Sequence, residues 1–287
     1  DRSPSRGLGD VYKRQVDVYV DGGLAIGGFE YRTATAVLEL PVSFTVGIAP
    51  AGGDVIAEFP FELAADGSYV VVATGLLGND DTPFGLAAAS TTFGASSSDV
   101  VGLEVYHGST DAPAVDIYAN DAALLTDFSY GSFSGFVEVP ANDYVLGIAP
   151  AGGDVIAAFS APLSGLGGGS AVAFASGFLS GDDPAFGLFA ALNDGTVLEL
   201  PALVQDCLGE WGGDAVFDDC GVCDGDNSSC TGCTDENALN FDPEALVPCD
   251  DCCDYLDYEG LVVINEINYN PATVSYTHLT LPTNREV

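Results

Sequence analysis

The side chains best placed to do chemistry are eight cysteines confined to 47 positions: Cys207, Cys220, Cys223, Cys230, Cys233, Cys249, Cys252 and Cys253. An even, dense set in a short Gly- and Asp-rich stretch reads as a disulfide framework. Such a stretch buries too little apolar surface to hold its shape without staples. Spacing alone does not choose among the pairings. The rival chemistry is structural zinc, because Cys220-x2-Cys223 and Cys230-x2-Cys233 have ligand-like spacing. Only six residues separate those two pairs and no histidine lies near, so disulfides are the favoured reading.

The same stretch is the acidic extreme of the chain. Residues 204–257 hold 15 Asp and Glu with no Lys or Arg. Carboxylates this dense repel one another unless solvent or cations screen them, and hard oxygen ligands at close spacing suit Ca2+. The local candidates are Asp218, Asp219, Asp224, Asp226 and Asn227. They do not form an EF-hand, since Ser229 stands where that loop needs glycine. A solvated acidic surface is the plainer alternative. DCGVCDGDNSSC and the GCTDENALNFDPEALVPCDDCCDY that follows resemble cysteine/aspartate modules of marine bacterial surface proteins. They are loosely similar to thrombospondin type 3 calcium repeats.

Catalytic chemistry finds little to work with. His107, with Ser109 and Asp111 close behind it, has the residue types of a nucleophilic triad. Residues this close along one strand end seldom converge in that way, so a histidine bonding a neighbouring loop is expected. Gly131-Ser132-Phe133-Ser134-Gly135 has Phe at the centre, where a nucleophile elbow needs Ser. No Gly-x4-Gly-Lys phosphate loop occurs. Trp211, the single tryptophan, falls in the cysteine-rich stretch and is expected to plug its small core. Asp80-Asp81 and Asp182-Asp183 precede Phe-Gly-Leu in two places; they are expected to cap turn amides. The chain is therefore expected not to be an enzyme.

Charge and composition bound the rest. The chain has 287 residues and a formal net charge of −37, with 47% hydrophobic and 17% charged residues. That much apolar content excludes ordinary disorder, and so little basic charge excludes a nucleic-acid binder. Five of the six basic residues lie at the ends: Arg2, Arg6, Lys13, Arg14 and Arg285. Residues 16–273 keep 40 of the 43 acids and only Arg32, net −39. DRSPSRGLGDVYKRQ (1–15) and VSYTHLTLPTNREV (274–287) resemble translated sequencing-adapter read-through at the ends of metagenomic gene fragments. They are set aside in reasoning about the fold.

An internal repeat supplies the framework. GIAPAGGDVIA occurs at 47–57 and again at 147–157. VDVY (16–19) matches VDIY (115–118), LELP (38–41) matches VEVP (137–140), and GLLGNDDTPFGL (75–86) matches GFLSGDDPAFGL (177–188). The offset drifts only where a turn can absorb residues, so the same fold is built twice, over 16–98 and 99–203. In the second copy VGLEVYH (101–107), AVDIYA (114–119), FSGFVEVP (133–140), YVLGIAP (144–150), DVIAAFSAPL (154–163), SAVAFAS (170–176), FGLFAAL (186–192) and TVLELP (196–201) read as strands. Asp194-Gly195 and Asp66-Gly67 read as tight hairpin turns. Pro-Ala-Gly-Gly at 50–53 and 150–153 reads as a type II turn. The expected class is all-β: two tandem immunoglobulin-like β-sandwich domains plus a small disulfide-rich, loop-rich module over 204–257.

HGSTDAPAVDIYAND (107–121) and VPANDYVLGIAPAGG (139–153) resemble the domain-of-unknown-function family 4397. Ser109, Asp111, Ala112, Pro113, Ala114, Val115, Asp116 and Tyr118 fit the family's opening motif, while Gly108 and Thr110 depart from it. The resemblance covers residues 16–203 in two copies. It implies tandem β-sandwich modules in exported bacterial proteins, with no established activity. The first copy lacks the opening motif and is expected to lack its first strand. LVVINEINYNP (261–271), within 258–273, resembles the first strand of a bacterial lamin-tail domain. The resulting expectation is a non-catalytic extracellular or cell-surface structural or adhesive fragment. Ca2+ is its one candidate ion, and a cell-surface polysaccharide or protein its candidate partner. The alternative is an ancillary binding region of a larger secreted hydrolase.

Overall fold

The computed structural model describes residues 15–181, 184–249 and 251–256. The tails compared with adapter read-through and the segment compared with a lamin-tail strand lie outside the described residues, apart from Gln15. The chain packs as two compact units, Asp1–Gly213 and Asp214–Val287. The described residues are all-β, with one 3-10 turn at Ser164–Leu166. Among them no helix is long and apolar enough to cross a membrane.

The first repeat contributes β1 (Gln15–Val20), β2 (Gly23–Glu30), β3 (Ser43–Pro50), β4 (Ala57–Glu62), β5 (Tyr69–Thr74) and β6 (Gly85–Ser90). The second contributes β7 (Val100–His107), β8 (Val115–Ala119), β9 (Ala122–Phe128), β10 (Val137–Pro140), β11 (Asp143–Pro150), β12 (Ala157–Pro162), β13 (Ser170–Ser176), β14 (Gly187–Leu192), β15 (Val197–Leu200) and β16 (Ala202–Leu203). Seven of the eight runs expected in the second repeat are strands within a few residues of their expected limits. FSGFVEVP keeps only its second half, Val137–Pro140, because Gly135 turns the chain at a positive φ before it. AALLTDF, not expected as a strand, is β9. It pairs with β8 through a two-residue turn in which Asn120 and Asp121 both take positive φ, the geometry of a tight hairpin.

Second-repeat strands stack as two five-stranded sheets, ordered β10-β7-β13-β14-β15 and β16-β12-β11-β8-β9. Their core joins Val101, Leu103, Ala171, Ala190 and Leu200 from one sheet to Ile148, Phe159 and Ala161 from the other. Alternation along each strand points these side chains inward. Burying one of the large ones contributes about 1.5–3 kcal/mol. The first repeat is smaller. Among the described residues its sheet β2-β1-β3-β4 faces the pair β5-β6, and its buried cluster is Phe44, Val46 and Ile48.

Asp66-Gly67 forms a turn but not the expected hairpin, because it joins β4 to β5, which lie in different sheets. The side-chain pattern that suggests a hairpin is equally served by an arch from one layer to the other. Both Pro-Ala-Gly-Gly segments are type II turns in outline. Gly53 and Gly153 donate to the carbonyls of Pro50 and Pro150 at 2.7 Å, with Gly52 and Gly152 at positive φ.

The two repeats share one packed unit. Arg32, itself at a positive φ, donates from Nη2 to the carbonyls of Ser176 (2.8 Å) and Ala185 (2.6 Å). Its guanidinium lies 4.3 Å from the centroid of the Phe189 ring, a cation–π geometry. The Val37 amide donates to Asn193 O. The Tyr106 hydroxyl donates to Thr74 Oγ1 at 2.6 Å, and the Tyr130 hydroxyl lies 2.9 Å from the same oxygen.

Among its described residues, unit 2 has almost no apolar core. Cys233 is its buried residue, while Val216, Phe217, Leu239 and Leu246 are exposed. Covalent links take the place of packing there: Cys220–Cys230, Cys233–Cys253 and Cys249–Cys252.

Candidate functional site

The chemistry-bearing residues of the second repeat collect at one end of β7 and β8. Asp116 sits where the β8–β9 register shifts, and such a bulge re-aims a side chain. Its Oδ1 accepts the Asp127 amide and its Oδ2 the Gly152 amide, both at 2.8 Å. Those two amides hold its carboxyl below the ordinary carboxylate range. Asp17 repeats the device in the first repeat. It sits at the β1–β2 shift and accepts the Gly28 and Gly52 amides at 2.7 Å each, with the same lowering from Gly52 and Gly28. Each aspartate thus ties its own hairpin to its own Pro-Ala-Gly-Gly turn. A charged acceptor on two amides is stronger than a neutral one.

Two of the residues with triad types, Ser109 and Asp111, serve the loop that follows β13. Ser109, fully buried, donates to the Gly177 carbonyl at 2.7 Å, with Asp111 Oδ1 at 3.2 Å from the same hydroxyl. Asp111 accepts the Leu179 amide on Oδ1 (2.8 Å) and the Ser180 amide on Oδ2 (2.9 Å). Partial burial pushes the Asp111 carboxyl up, but the Ser180 and Leu179 amides outweigh it, and the net shift is downward. His107 places Nε2 3.2 Å from the Pro113 carbonyl. A carbonyl only accepts, so Nε2 carries the proton and Nδ1 is the bare nitrogen. Nδ1 is buried without a partner, and burial lowers the His107 pKa. Phe128 and Tyr130 lie beside the ring. His107, Ser109 and Asp111 therefore share a region without forming a relay: each bonds main chain.

Glu104 is the residue that sequence reasoning missed. It is 1% exposed on β7, and its Oε1 accepts the Gly135 amide at 2.9 Å. Its Oε2 is buried without a hydrogen bond. Burial raises its carboxyl above the ordinary range, against the Gly135 amide and the Thr91 hydroxyl. A carboxylate inside an otherwise apolar strand, VGLEVYH, was its only signal.

In the cysteine-rich stretch four of the five candidate calcium residues, Asp218, Asp219, Asp226 and Asn227, have side chains in local hydrogen bonds. Asp218 accepts the Cys220 and Val222 amides on Oδ1 and the Asn227 amide on Oδ2. Asn227 accepts the Asp219 amide on its side-chain oxygen and donates to Asp219 Oδ2. Asp226 accepts the Ser228 amide. Asp224 takes a positive φ, and its own amide donates to Val216 O. Among the described residues, the one group of three or more side chains with ligand atoms close enough for a metal is Cys249, Cys252 and Cys253. All three are in disulfides, so no thiolate is offered. The remaining two cysteines, Cys207 and Cys223, are disulfide-bonded as well. The bond Cys220–Cys230 takes one sulfur from each Cys-x2-Cys pair of the zinc reading.

A twelve-residue spacing escaped the sequence reading. Asp206 accepts the Leu208 and Glu210 amides on Oδ1, as Asp218 does those of Cys220 and Val222. Gly209 donates to Asp206 O and Gly221 to Asp218 O. The pattern Asp-x-x-Gly at 206–209 and 218–221 was its visible signal. Trp211, expected as a core plug, is half-buried and bridges to Gln205. Asp80 and Asp81 do not cap their turn. Asn79 does, accepting the Asp81 and Thr82 amides. Asp182 and Asp183 lie outside the described residues.

Residues 101–186 match a domain of unknown function, DUF4397. No curated protein matches the chain, and no solved structure matches it. The matched DUF4397 domain runs from β7 to the start of β14. It contains the bonds just described for His107, Ser109, Asp111 and Asp116, and the bond from the Gly135 amide to Glu104.

Proposed function

We propose that the chain is a non-catalytic structural or adhesive multidomain protein of the cell surface or extracellular space. The observation that carries this reading is how the motif spends its polar groups. His107, Ser109, Asp111 and Asp116 each bond main-chain atoms of their own domain, which makes the motif a device for locking loops. The disulfides of residues 207–253 support an oxidising compartment. Assay of the intact chain against panels of glycosides, esters and peptides tests the first part. Turnover that survives His107→Ala would point to contamination, and turnover abolished by it would overturn the reading. Thiol titration tests the second part. No thiol is expected to react in the native chain and eight after reduction; reactive thiols without reductant would remove the extracellular argument.

A calcium brace in residues 204–257 is a finer part of the same proposal. It is supported by the density of carboxylates and by the two Asp-centred turns at 206 and 218. Melting of the intact chain in Ca2+ against chelator tests it, and an unchanged midpoint removes calcium from the reading. Binding to polysaccharides on a glycan array tests the adhesive role.

A further inference from the structure

The contacts between the two repeats are reciprocal. The run that aligns VDVY with VDIY pairs Tyr31 with Tyr130 and Arg32 with Gly131, without a gap. The run that aligns GLLGNDDTPFGL with GFLSGDDPAFGL pairs Thr74 with Ser176, Pro83 with Ala185 and Ala87 with Phe189. The Tyr31 hydroxyl of the first repeat bonds the Ser176 hydroxyl of the second. The Tyr130 hydroxyl of the second bonds the Thr74 hydroxyl of the first, at 2.9 Å. The same two positions therefore meet twice, with the repeats exchanged. That exchange is the signature of a two-fold, self-complementary contact, which two copies close. The flanking segments follow it. Ala36 bridges to Asp194, and the Val37 amide donates to Asn193 O. In the other half Gly135 and Thr91 hold the positions of Ala36 and Asn193, and both lie against the Glu104 carboxyl. That buried acid stands in the contact between the repeats.

The two halves differ in one pair of side chains. In one half Arg32 reaches the carbonyls of Ser176 and Ala185 and lies over the Phe189 ring. In the other half the equivalent residues are Gly131 and Ala87. Gly131 keeps the left-handed backbone of Arg32, φ 79° against 60°, and a Cβ on it would meet nothing within 4 Å. The backbone there is thus posed for the same side chain. Two copies of the first repeat would bring two arginines to two alanines. Two copies of the second would bring two phenylalanines and no cation. A first repeat against a second sets the cation over a ring. Arg32 is also the one Lys or Arg within residues 16–273, and it stands at this contact.

We propose that the surface around Ser176, Ala185 and Phe189 is a docking site for a sister repeat that carries Tyr-Arg directly after its second strand, and that the Arg32–Phe189 pair decides which repeat takes which side. The tyrosine–hydroxyl pairs are common to both halves and supply association. The arginine–phenylalanine pair belongs to one half and supplies orientation, as a specificity element does by rewarding one pairing over its alternatives. The partner is recognised by the guanidinium and by the left-handed backbone that presents it.

The test uses the intact chain and reads opening of the contact as hydrogen exchange of the Val37 amide, whose acceptor lies in the other repeat. Arg32→Gly places at 32 the residue found at 131 and suits the left-handed backbone. It should speed that exchange at least about tenfold, with β11 amides, which pair inside the second repeat, unchanged. Phe189→Ala should speed it too, and the double variant should fall short of the product of the two by at least about threefold. The gain arm compares Gly131→Arg with Gly131→Ala, which carry the same backbone cost. The arginine should reach the Thr74 and Pro83 carbonyls and slow Val37 exchange at least about threefold relative to the alanine. Independent effects of Arg32→Gly and Phe189→Ala would overturn the proposal. So would equal speeding at β11, or a Gly131→Arg chain no slower than Gly131→Ala.

Discussion

The two repeats use the same short motifs and reach different degrees of closure. Asp17 and Asp116 make the same pair of amide bonds at equivalent bulges. The turns at 50–53 and 150–153 have the same backbone form. Yet among the described residues β3, β1 and β4 face two strands, whereas β11, β8 and β12 face five. Local motifs therefore take the same form in both settings, because their bonds close over short stretches of chain. The layered core differs, because its contacts span the domain. Completeness of a sandwich is decided by strands far apart in sequence.

The sharpest way to break this comparison is to truncate one core phenylalanine in each repeat. Phe159 packs between both sheets of the second repeat, edge-on to Phe186. Phe159→Ala should destabilise that repeat by about 3–5 kcal/mol. Phe44 has the same 5% exposure but a thinner surround, so Phe44→Ala should cost less. Denaturant unfolding followed by domain-resolved amide exchange reads both. Equal losses would mean that the first repeat is as well packed as the second.

Arg32 tests whether the repeats stabilise each other. Arg32→Lys removes the forked contact to the Ser176 and Ala185 carbonyls and the stacking on Phe189, which lysine does not reproduce. A loss of about 1.5–3 kcal/mol is expected, with one unfolding transition separating into two. A single unshifted transition would show that the contact contributes nothing.

Equivalent glycines give a smaller, paired effect. Gly75 and Gly177 have positive φ, and a Cβ on either would meet a carbonyl, of Pro83 or Ala185 respectively. Each Gly→Ala change should cost more than about 1 kcal/mol. Gly177→Ala should cost more than Gly75→Ala, because its Cβ would also meet the Arg32 guanidinium. The reverse order in thermal melts would remove Arg32 from the account.

The pH response should distinguish the repeats by the smallest margin. Asp17, Asp111 and Asp116 have lowered carboxyl pKa values. Their stabilisation is present above the unfolded value of about 3.9 and lost as pH falls toward the folded values. Glu104 is raised by burial, so its contribution has the opposite sign: stability is lost as pH rises through its folded pKa, above about 4.3. Glu104→Gln should therefore raise the midpoint of the second repeat at pH 7 and leave it nearly unchanged at pH 4. An equal gain at both values would reject charge as the cause.

Much of the second repeat was legible residue by residue. SAVAFAS at 170–176 is a strand to the residue, and the Asp-Gly pair at 194–195 turns a hairpin between β14 and β15. The site was legible only in part. Ser109, Asp111 and Asp116 stood out as a motif, but nothing in their spacing said that their partners were Gly177, Leu179, Ser180 and Gly152. Those partners lie up to 69 residues away, beyond any local pattern. Glu104 went unnoticed because one acid in an apolar strand is ordinarily on its solvent side, and here that side is covered.

The sequence by itself determined the duplication, the all-β class, the type II turns and the cysteine framework, since each rests on local periodicity, turn chemistry or composition. Only the tertiary structure decided that VEVP at 137–140 is a strand while LELP at 38–41 is not. It also decided that Asp66-Gly67 arches between layers, and that Cys220 joins Cys230. Lone Arg32 became an anchor between repeats in the same way. The physical reason is common to all four. A strand exists by the neighbour that takes its hydrogen bonds, and a disulfide or a guanidinium contact by the approach of distant residues. Sequence spacing records neither.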